Sequence, residues 1–292
     1  MLKEYCNTKA ALLDISLKNL VPRQHPYAQV LFDAMNYSLF AGGKRLRPVL
    51  LMAAADAVGG DGSRYMHVAC SLEMIHTYSL VHDDLPAMDN DDYRRGKLTN
   101  HKVFGEGMAI LAGDALLTLA FETALSQPSV EPAVLLSVVQ EISVAAGAQG
   151  MIAGQAVDLE AESKNLDSQT LRFMHQAKTG ALFRTSIRAG AKLAGASSAE
   201  LDRLTAYAEY FGLAFQITDD ILDVTGDENI IGKPVGSDER NNKSTYVTTY
   251  GLDKATVMAR EAVSGAVDSL VSFTTGADIL RQMAKYLLTR NS

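Results

Sequence analysis

The sequence predicts an all-α protein, and three observations support that prediction. Only seven prolines occur in 292 residues, so long windows are free to form helices. Many windows repeat apolar residues at helical spacing, for example Leu201, Leu204, Tyr207 and Phe211. Alternation of apolar and polar residues, the pattern of strands, is scarce. We therefore expect one domain, residues 1–292, built as a large helical bundle.

Two segments need separate interpretation. Residues 108–125 are apolar on nearly every side, which is typical of a central helix in a large bundle. Residues 243–250, KSTYVTTY, are rich in β-branched and aromatic residues, so propensity predicts a strand there. Turn residues that separate the predicted helices cluster at 59–62, 127–132, 195–198 and 226–233.

Composition excludes several classes of protein. A formal net charge of −7 argues against broad nucleic-acid binding, which needs a basic face. No stretch of 18 to 20 uncharged apolar residues occurs, so we expect no membrane span. Residues 1–20 contain Glu4 and Asp14 and lack an apolar core, unlike a signal peptide. Cys6 and Cys70 suit a reducing cytoplasm and are expected to be packing residues.

Two groups of three aspartates follow apolar helical runs, in SLVHDDLPAMDNDDYRRGK and FQITDDILDVTGD. On a helix, the members of the second group would present their oxygens to one side. Hard oxygen ligands suit Mg²⁺, which often shares its coordination with substrate phosphates. The members are Asp83, Asp84 and Asp89 in the first group, and Asp219, Asp220 and Asp223 in the second.

The alternative for either group alone is a solvated acidic helix end. Neither segment has the DxDxDG loop and closing glutamate of an EF-hand. Two groups, each at the end of an apolar helix and the first with arginines beside it, favour a pair of metal clamps around one polyanion.

Basic residues accompany these groups. Lys44 and Arg47 in GGKRLRP are three positions apart, so on a helix they would share one face. Arginine binds phosphate oxygens in bidentate fashion, and lysine adds a compact charge. Any one of them alone would be interpreted as a surface charge, but the combination indicates a second polyanionic ligand. The others are His76, Arg94, Arg95, Lys178 and Lys233.

The motifs resemble those of bacterial short-chain trans-isoprenyl diphosphate synthases of the farnesyl diphosphate synthase type. GGKRLRP, EMIHTYSLVHDDLPAMDNDDYRRGKLTNHKVFGE, ILAGDALLTLAF, GQAVDLE, KTGALF, GLAFQITDDILDVTGD and GKPVGSD…KSTY occur in family order over nearly the whole chain. The resemblance implies a polyprenyl synthetase domain over 1–292: a helical bundle around a deep central cavity, the isoprenoid synthase fold, in a cytoplasmic homodimer. It also implies turn and helix, not strand, for 243–250.

The resemblance implies a role for each motif residue. All six aspartates would bind Mg²⁺, three ions with substrate present, and whether Mn²⁺ can replace Mg²⁺ stays open. The catalytic residues would be Asp83, Asp84, Asp89, Arg94, Lys178 and Asp219. Isopentenyl diphosphate would be bound by Lys44, Arg47, His76 and Arg95. The allylic diphosphate would be bound by Arg94, Lys178, Thr179, Gln216 and Lys233, with Lys243 in a flexible closing segment.

Tyr78 bears on product length. It lies five residues before Asp83, about 7.5 Å back along a helix, where its ring can stop a growing apolar chain. With the two extra residues of the first motif, in the segment 85–88, this resembles farnesyl-producing enzymes and favours fifteen carbons. Geranylgeranyl synthases share much of the segment and are the alternative. Tyr78 could also be an ordinary core tyrosine with a hydrogen-bonded hydroxyl.

Three rival functions fit the sequence less well. A terpene cyclase would replace the second aspartate motif and would not need GGKRLRP with His76. A non-catalytic subunit of a heteromeric synthase would lose aspartates that this chain keeps. A metal-buffering helical protein offers no reason for the basic residues.

Overall fold

The computed structural model describes residues 1–161, 166–226 and 244–290. Its longer helices are α1 Leu2–Leu20, α2 Gln29–Leu39, α3 Leu46–Ala57, α4 Met66–Asp83, α6 Glu106–Leu125, α7 Pro132–Ala146, α8 Met151–Glu160, α9 Ser168–His175, α10 Ala181–Leu193, α11 Ser198–Thr225, α13 Leu252–Ser269 and α14 Asp278–Tyr286. The short ones are α5 Asn100–Phe104 and α12 Tyr246–Tyr250, with 3-10 turns at Gly62–Tyr65 and Thr275–Ala277 and a π-helical turn at Gln176–Gly180. Two-residue strands, β1 Tyr93–Arg94 and β2 Lys97–Leu98, form one antiparallel hairpin.

The all-α prediction is confirmed over the described residues. One cluster of buried apolar side chains extends from Leu13 in α1 to Leu287 after α14. Helix α3 lies at its centre, with nine of its twelve residues buried. Helix α10 approaches α3 closely because Gly190 has no side chain; a Cβ there would lie 1.9 Å from the Leu51 carbonyl oxygen.

Helix α11 extends for 28 residues and ends with the second aspartate group. Its start is fixed by a capping box, in which Ser197 and Glu200 satisfy each other's backbone N–H groups. Leu204, Tyr207 and Phe211 are buried on one face, as their helical spacing predicts.

Helix α6 departs from the sequence prediction of a central helix. Ile110 and Leu111 are 45% and 53% exposed, so one apolar side of the helix faces away from the core. By length and composition α6 and the stretch 132–160 could each cross a membrane. Core helices of soluble proteins pass the same test, so the expectation of no membrane span stays a prediction.

The strand predicted from propensity at 243–250 is wrong where the structure describes it, from residue 244. Tyr246–Tyr250 is helical, as the family resemblance implied. Thr245 and Thr248 form a capping box that satisfies the first N–H groups of this short helix. Local capping therefore overrides the strand preference of the β-branched residues.

Candidate active site

The first aspartate group lies where α4 ends. Asp83 is the last helical residue and Asp84 is the C-cap. The following loop folds back on the helix, because the N–H of Asp89 donates to the carbonyl of Asp83 at 2.9 Å. Asn90 closes this turn with a φ of 53°, in the left-handed region that asparagine tolerates. The spacing DDxxxxD thus corresponds to one helix end and the loop that returns to it.

Arg94 neutralises Asp84. Nε of Arg94 donates to Oδ1 of Asp84 at 2.7 Å, and Nη2 lies 2.6 Å from the same oxygen. The Asp84 side chain is only 4% exposed, so this pair is largely withdrawn from water. Burial raises the pKa of Asp84, and the bond from Arg94 works against that rise. The arginine expected to contact substrate therefore binds a motif carboxylate.

Asp83 lies in an electrostatically strained position. Burial is the main reason that its pKa rises to about 6, and the like charges of Asp89 and Asp84 add to the rise. Lys178 and Arg94 oppose it. A cation at this helix end would relieve the repulsion, so these carboxylates fit a divalent metal ion.

Lys178 reaches this region from the π-helical turn Gln176–Gly180. Its Nζ lies 2.6 Å from Oδ2 of Asp158 in α8, within the GQAVDLE motif. Helix α8 can approach the turn because Gly154 faces it. A Cβ at Gly154 would lie 2.2 Å from the Lys178 backbone nitrogen. The glycine of GQAVDLE thus sets the position of Lys178 and its neighbour Thr179.

The second aspartate group occupies the last turns of α11. Asp220 and Asp223 are buried, whereas the Asp219 side chain is 54% exposed. Asp220 accepts two hydrogen bonds, from Nε2 of Gln216 at 2.8 Å and from the N–H of Tyr246 at 2.7 Å. The second bond ties α12 to the motif. The exposed Asp219 is the member best placed to reach a metal ion in solvent.

Arg290 is a site residue that sequence reasoning missed. Its Nη2 lies 3.3 Å from Oδ1 of Asp219 and donates to Thr218, and its guanidinium lies 4.4 Å from the centre of the Phe215 ring. Its charge also lowers the pKa of Lys44, after the larger effect of burial, while Asp219 raises it. A lone arginine 71 positions after Asp219 gives no spacing signal, so only folding reveals the contact.

The GGKRLRP segment is not the continuous helix that the spacing of Lys44 and Arg47 assumed. Arg45 is the N-cap of α3 with a left-handed φ of 51°, so Lys44 precedes the helix and does not share its face with Arg47. The Arg45 side chain instead binds Glu73 at 2.7 Å and Asp14 at 3.1 Å inside the fold. Lys44 instead lies within electrostatic range of Arg290 and of Asp219 in the second aspartate group, since both charges act on its pKa.

Arg47, His76 and Arg95 form a basic group of their own. Burial, followed by the charges of Arg47 and Arg95, lowers the pKa of His76 well below its ordinary value, so the ring is neutral at pH 7. Burial lowers the pKa of Arg47 to about 10, and its guanidinium lies 4.8 Å from the centre of the Phe183 ring. Two cations and a neutral imidazole gathered here suit an anion.

Tyr78 is 5% exposed, and its ring meets the His82 ring edge-on at 5.7 Å. Its hydroxyl is buried without a hydrogen-bond partner in the described structure. The alternative of an ordinary core tyrosine with a bonded hydroxyl therefore does not match this geometry.

No three carboxylate, imidazole or thiolate groups of the described residues gather closely enough to hold a metal ion alone. The donor set is nevertheless that of Mg²⁺, which keeps several waters and usually completes its octahedron with substrate phosphates. Lys233 and Lys243, the remaining predicted contacts, lie outside the described residues.

Comparison with known proteins places this arrangement in a family. The polyprenyl synthetase family model matches residues 28–272. The chain belongs to the polyprenyl synthetase family. The resemblance inferred from its motifs is thereby confirmed, and so is the prediction of a prenyltransferase.

Individual relatives cover nearly the whole chain. A farnesyl diphosphate synthase of Geobacillus stearothermophilus is 46% identical, over 95% of this chain and 92% of its own length. A geranylgeranyl diphosphate synthase of Cyanophora paradoxa is 41% identical, over 99% and 96%. The crystal structure of an FPP/GFPP synthase from Zymomonas mobilis superposes with a TM-score of 0.89, at 39% identity over 98% of both chains. This polyprenyl synthetase therefore has the isoprenoid synthase helical fold.

Proposed function

We propose that this polyprenyl synthetase is a magnesium-dependent farnesyl diphosphate synthase. It would condense isopentenyl diphosphate with dimethylallyl or geranyl diphosphate to give (2E,6E)-farnesyl diphosphate. The observation that supports this most directly is that basic side chains gather in two separate places, one beside the first aspartate group and one around His76. Asp83, with Lys178 beside it, suits a metal-bound allylic diphosphate, and the group of Arg47, His76 and Arg95 suits a second diphosphate.

The side chains of the first site stabilise a leaving diphosphate. Lys178 and Arg94 place positive charge beside Asp83 before substrate arrives, so they need little rearrangement as negative charge develops. Mg²⁺, held by the two aspartate groups when bound, supplies further neutralisation of the diphosphate oxygens. Together these charges lower the free energy of breaking the allylic C–O bond.

The second site orients the nucleophile. Arg47 and Arg95 bind the diphosphate of isopentenyl diphosphate, so its double bond is held beside the allylic carbon and attack becomes effectively intramolecular. His76 stays neutral there and can donate a hydrogen bond without adding repulsion between cations. The proton lost after condensation passes to the released diphosphate, so no side chain is needed as a general base. Buried apolar residues of α4 exclude water that would quench the allylic cation.

Tyr78 supports fifteen carbons as the product length. Its buried ring precedes Asp83 on α4. Its hydroxyl has no hydrogen-bond partner in the described structure, which suits a ring that faces an apolar cavity better than one that is held by a structural hydrogen bond. Relatives named for farnesyl and for geranylgeranyl products match at similar identity. A geranylgeranyl diphosphate synthase is therefore the second candidate, with the same site and a deeper cavity.

We also propose a cytoplasmic homodimer. The exposed apolar residues Ile110 and Leu111 of α6 and Leu136 of α7 would be covered by a second copy. Sedimentation velocity at several protein concentrations tests this, and a monomer throughout the range would contradict it.

A product assay tests the proposed reaction. Purified protein is incubated with Mg²⁺, isopentenyl diphosphate and dimethylallyl diphosphate, and the dephosphorylated products are sized by chromatography and mass spectrometry. Farnesol as the main alcohol is expected. Geranylgeraniol would keep the mechanism and refute the role of Tyr78, whereas no condensation product would favour a non-catalytic subunit. A parallel reaction with EDTA should give no product if the aspartates act through a metal ion.

A further inference from the structure

A second cavity lies away from the aspartates, on the outer side of α10. It has a volume of about 740 Å³, within the size range of small-molecule sites. Helices α7, α10 and α11 form its walls, and the π-helical turn and α12 contribute to one end. None of the six motif aspartates is among its described lining residues.

The floor of this rear cavity, as we call it, is made of small residues. Gly150, Ala177 and Gly212 are buried there, with Gly180 and Ala181 beside them. Gly180 and Gly212 also bring the π-helical turn against α11, since a Cβ at Gly212 would lie 3.3 Å from the Gly180 Cα. The absence of side-chain volume at these positions leaves the space open.

The walls above the floor are apolar and aromatic. Val144 and Leu213 contribute from α7 and α11, and Phe173, 46% exposed, lies at the opening. The Tyr246 ring stacks on the His175 ring at 5.3 Å and 26°. Burial is the main reason that the pKa of His175 falls to about 4, so this stacked wall is uncharged at pH 7.

The charged residues at the rim already have partners. Arg184 lies 3.3 Å from Glu209, and Arg188 lies 2.9 Å from Glu141. Arg188 also donates to the Thr205 hydroxyl at 2.6 Å. Both arginines of the described lining are thus ion-paired, which makes the site poorly suited to a phosphate or diphosphate. An occupant must be neutral over most of its surface, because the buried surface that it would contact is neutral.

The rear cavity is separated from the catalytic site by the π-helical turn. Gln176, Ala177 and Gly180 face the cavity, whereas Lys178 reaches Asp158 and the region of Asp83. We propose that the rear cavity is a second binding site, for a neutral and mostly apolar small molecule such as a ten-carbon alcohol.

The chain contains no tryptophan, which makes a fluorescence test possible. Phe173→Trp introduces a single reporter at the opening of the cavity with little change in shape. Geraniol, a neutral ten-carbon alcohol, is titrated into this variant without magnesium or substrate. A saturable blue shift of the emission is expected. The absence of a saturable change would overturn the proposal. An emission shift that depends on protein concentration and not on geraniol would also overturn it, because a second copy of the chain would then cover the opening.

Two further measurements locate the bound geraniol. Ala145→Phe, made in the reporter background, fills the cavity from α7 and should weaken geraniol binding at least tenfold. Ala133→Phe, the same change at an exposed α7 position outside the lining, should leave the dissociation constant unchanged. Equal effects of the two variants would contradict the proposal. Thermal melts of both variants check that they are folded.

A competition experiment needs no filling variant. The competitor is an unreactive analogue of geranyl diphosphate, in which sulfur replaces the oxygen between the geranyl carbon and the diphosphate. Saturating concentrations of this analogue and of Mg²⁺ should leave geraniol bound to the reporter variant. Displacement of geraniol would place it in the catalytic cavity and refute a second site. Since the titration uses no turnover, its outcome is independent of whether the proposed synthase reaction is found.

Discussion

Replacing Gly154 with alanine should move Lys178 and impair catalysis, although no charge is altered. The added Cβ would lie 2.2 Å from the Lys178 backbone nitrogen and 2.7 Å from its Cα. Ordinary van der Waals contact begins at 3.4 Å, so α8 and the π-helical turn must separate by about 3.4 − 2.2 = 1.2 Å. The obstacle is backbone, which cannot rotate away as a flexible side chain can.

The magnitude follows from two opposing effects on the free energy of unfolding. Alanine in a helix interior gains about 1 kcal/mol over glycine, whereas overpacking costs about 1–3 kcal/mol. The stability of Gly154→Ala should therefore change little or fall by up to about 2 kcal/mol. The catalytic effect should be larger, because a displacement of about 1 Å in a positioning group can cost roughly 10²-fold.

The assay compares kcat/KM for geranyl diphosphate at saturating isopentenyl diphosphate, alongside thermal melts. Gly107→Ala is the matched control, because Gly107 also lies in a helix but a Cβ there meets nothing within 4 Å. The control should keep full activity. If both variants keep wild-type kcat/KM, Gly154 does not fix the position of Lys178.

Three further predictions test other parts of the structure. Tyr78→Ala should lengthen the product by at least one five-carbon unit with little change in KM for isopentenyl diphosphate; an unchanged product spectrum in mass spectrometry would contradict its assigned role. Asp83→Ala should lower kcat at saturating Mg²⁺ by at least 10³-fold, about 4 kcal/mol, and near-normal turnover would refute the metal-clamp reasoning. Burial alone would raise the pKa of Glu141, but hydrogen bonds from Arg188 and Lys192 hold it below its usual value. Its stabilisation is thus present above the unfolded pKa and lost as pH falls through the lower folded pKa. Denaturation should therefore show Glu141→Gln about 1–3 kcal/mol less stable than the wild type at pH 7, and the two proteins should converge once pH falls below the folded pKa of Glu141. A difference in stability that persists in acid would contradict this.

The sequence predicts the site better where the chemistry depends on neighbouring residues along one helix. Asp219, Asp220 and Asp223 all lie in the last turns of α11, although Asp219 is exposed and the other two are buried. Tyr207 and Phe211 are buried as their spacing predicts. Helical periodicity is a local property, so it is visible before folding.

Contacts that depend on several elements were not predictable in this way. Arg290 reaches Asp219 only because α14 and α11 end near each other in space. The left-handed backbone of Arg45 places Lys44 outside helix α3. No residue pattern in the sequence indicates this. The exposed side of α6 is as apolar as the buried side. Composition alone therefore does not distinguish a side that packs in the core from a surface that another chain could cover.

The Arg45 interactions connect helix α1 to helix α4, which ends at the first aspartate group. Asp14 of α1 and Glu73 of α4 bind the same guanidinium, and its third bond goes to the Leu39 carbonyl at 2.8 Å. Leu13 and Leu17 of the same helix are completely buried. An N-terminal deletion through α1 would leave a buried arginine and glutamate with fewer partners, directly behind Lys44. An affinity tag or fusion partner should therefore be added ahead of residue 1, without removing any residue of α1.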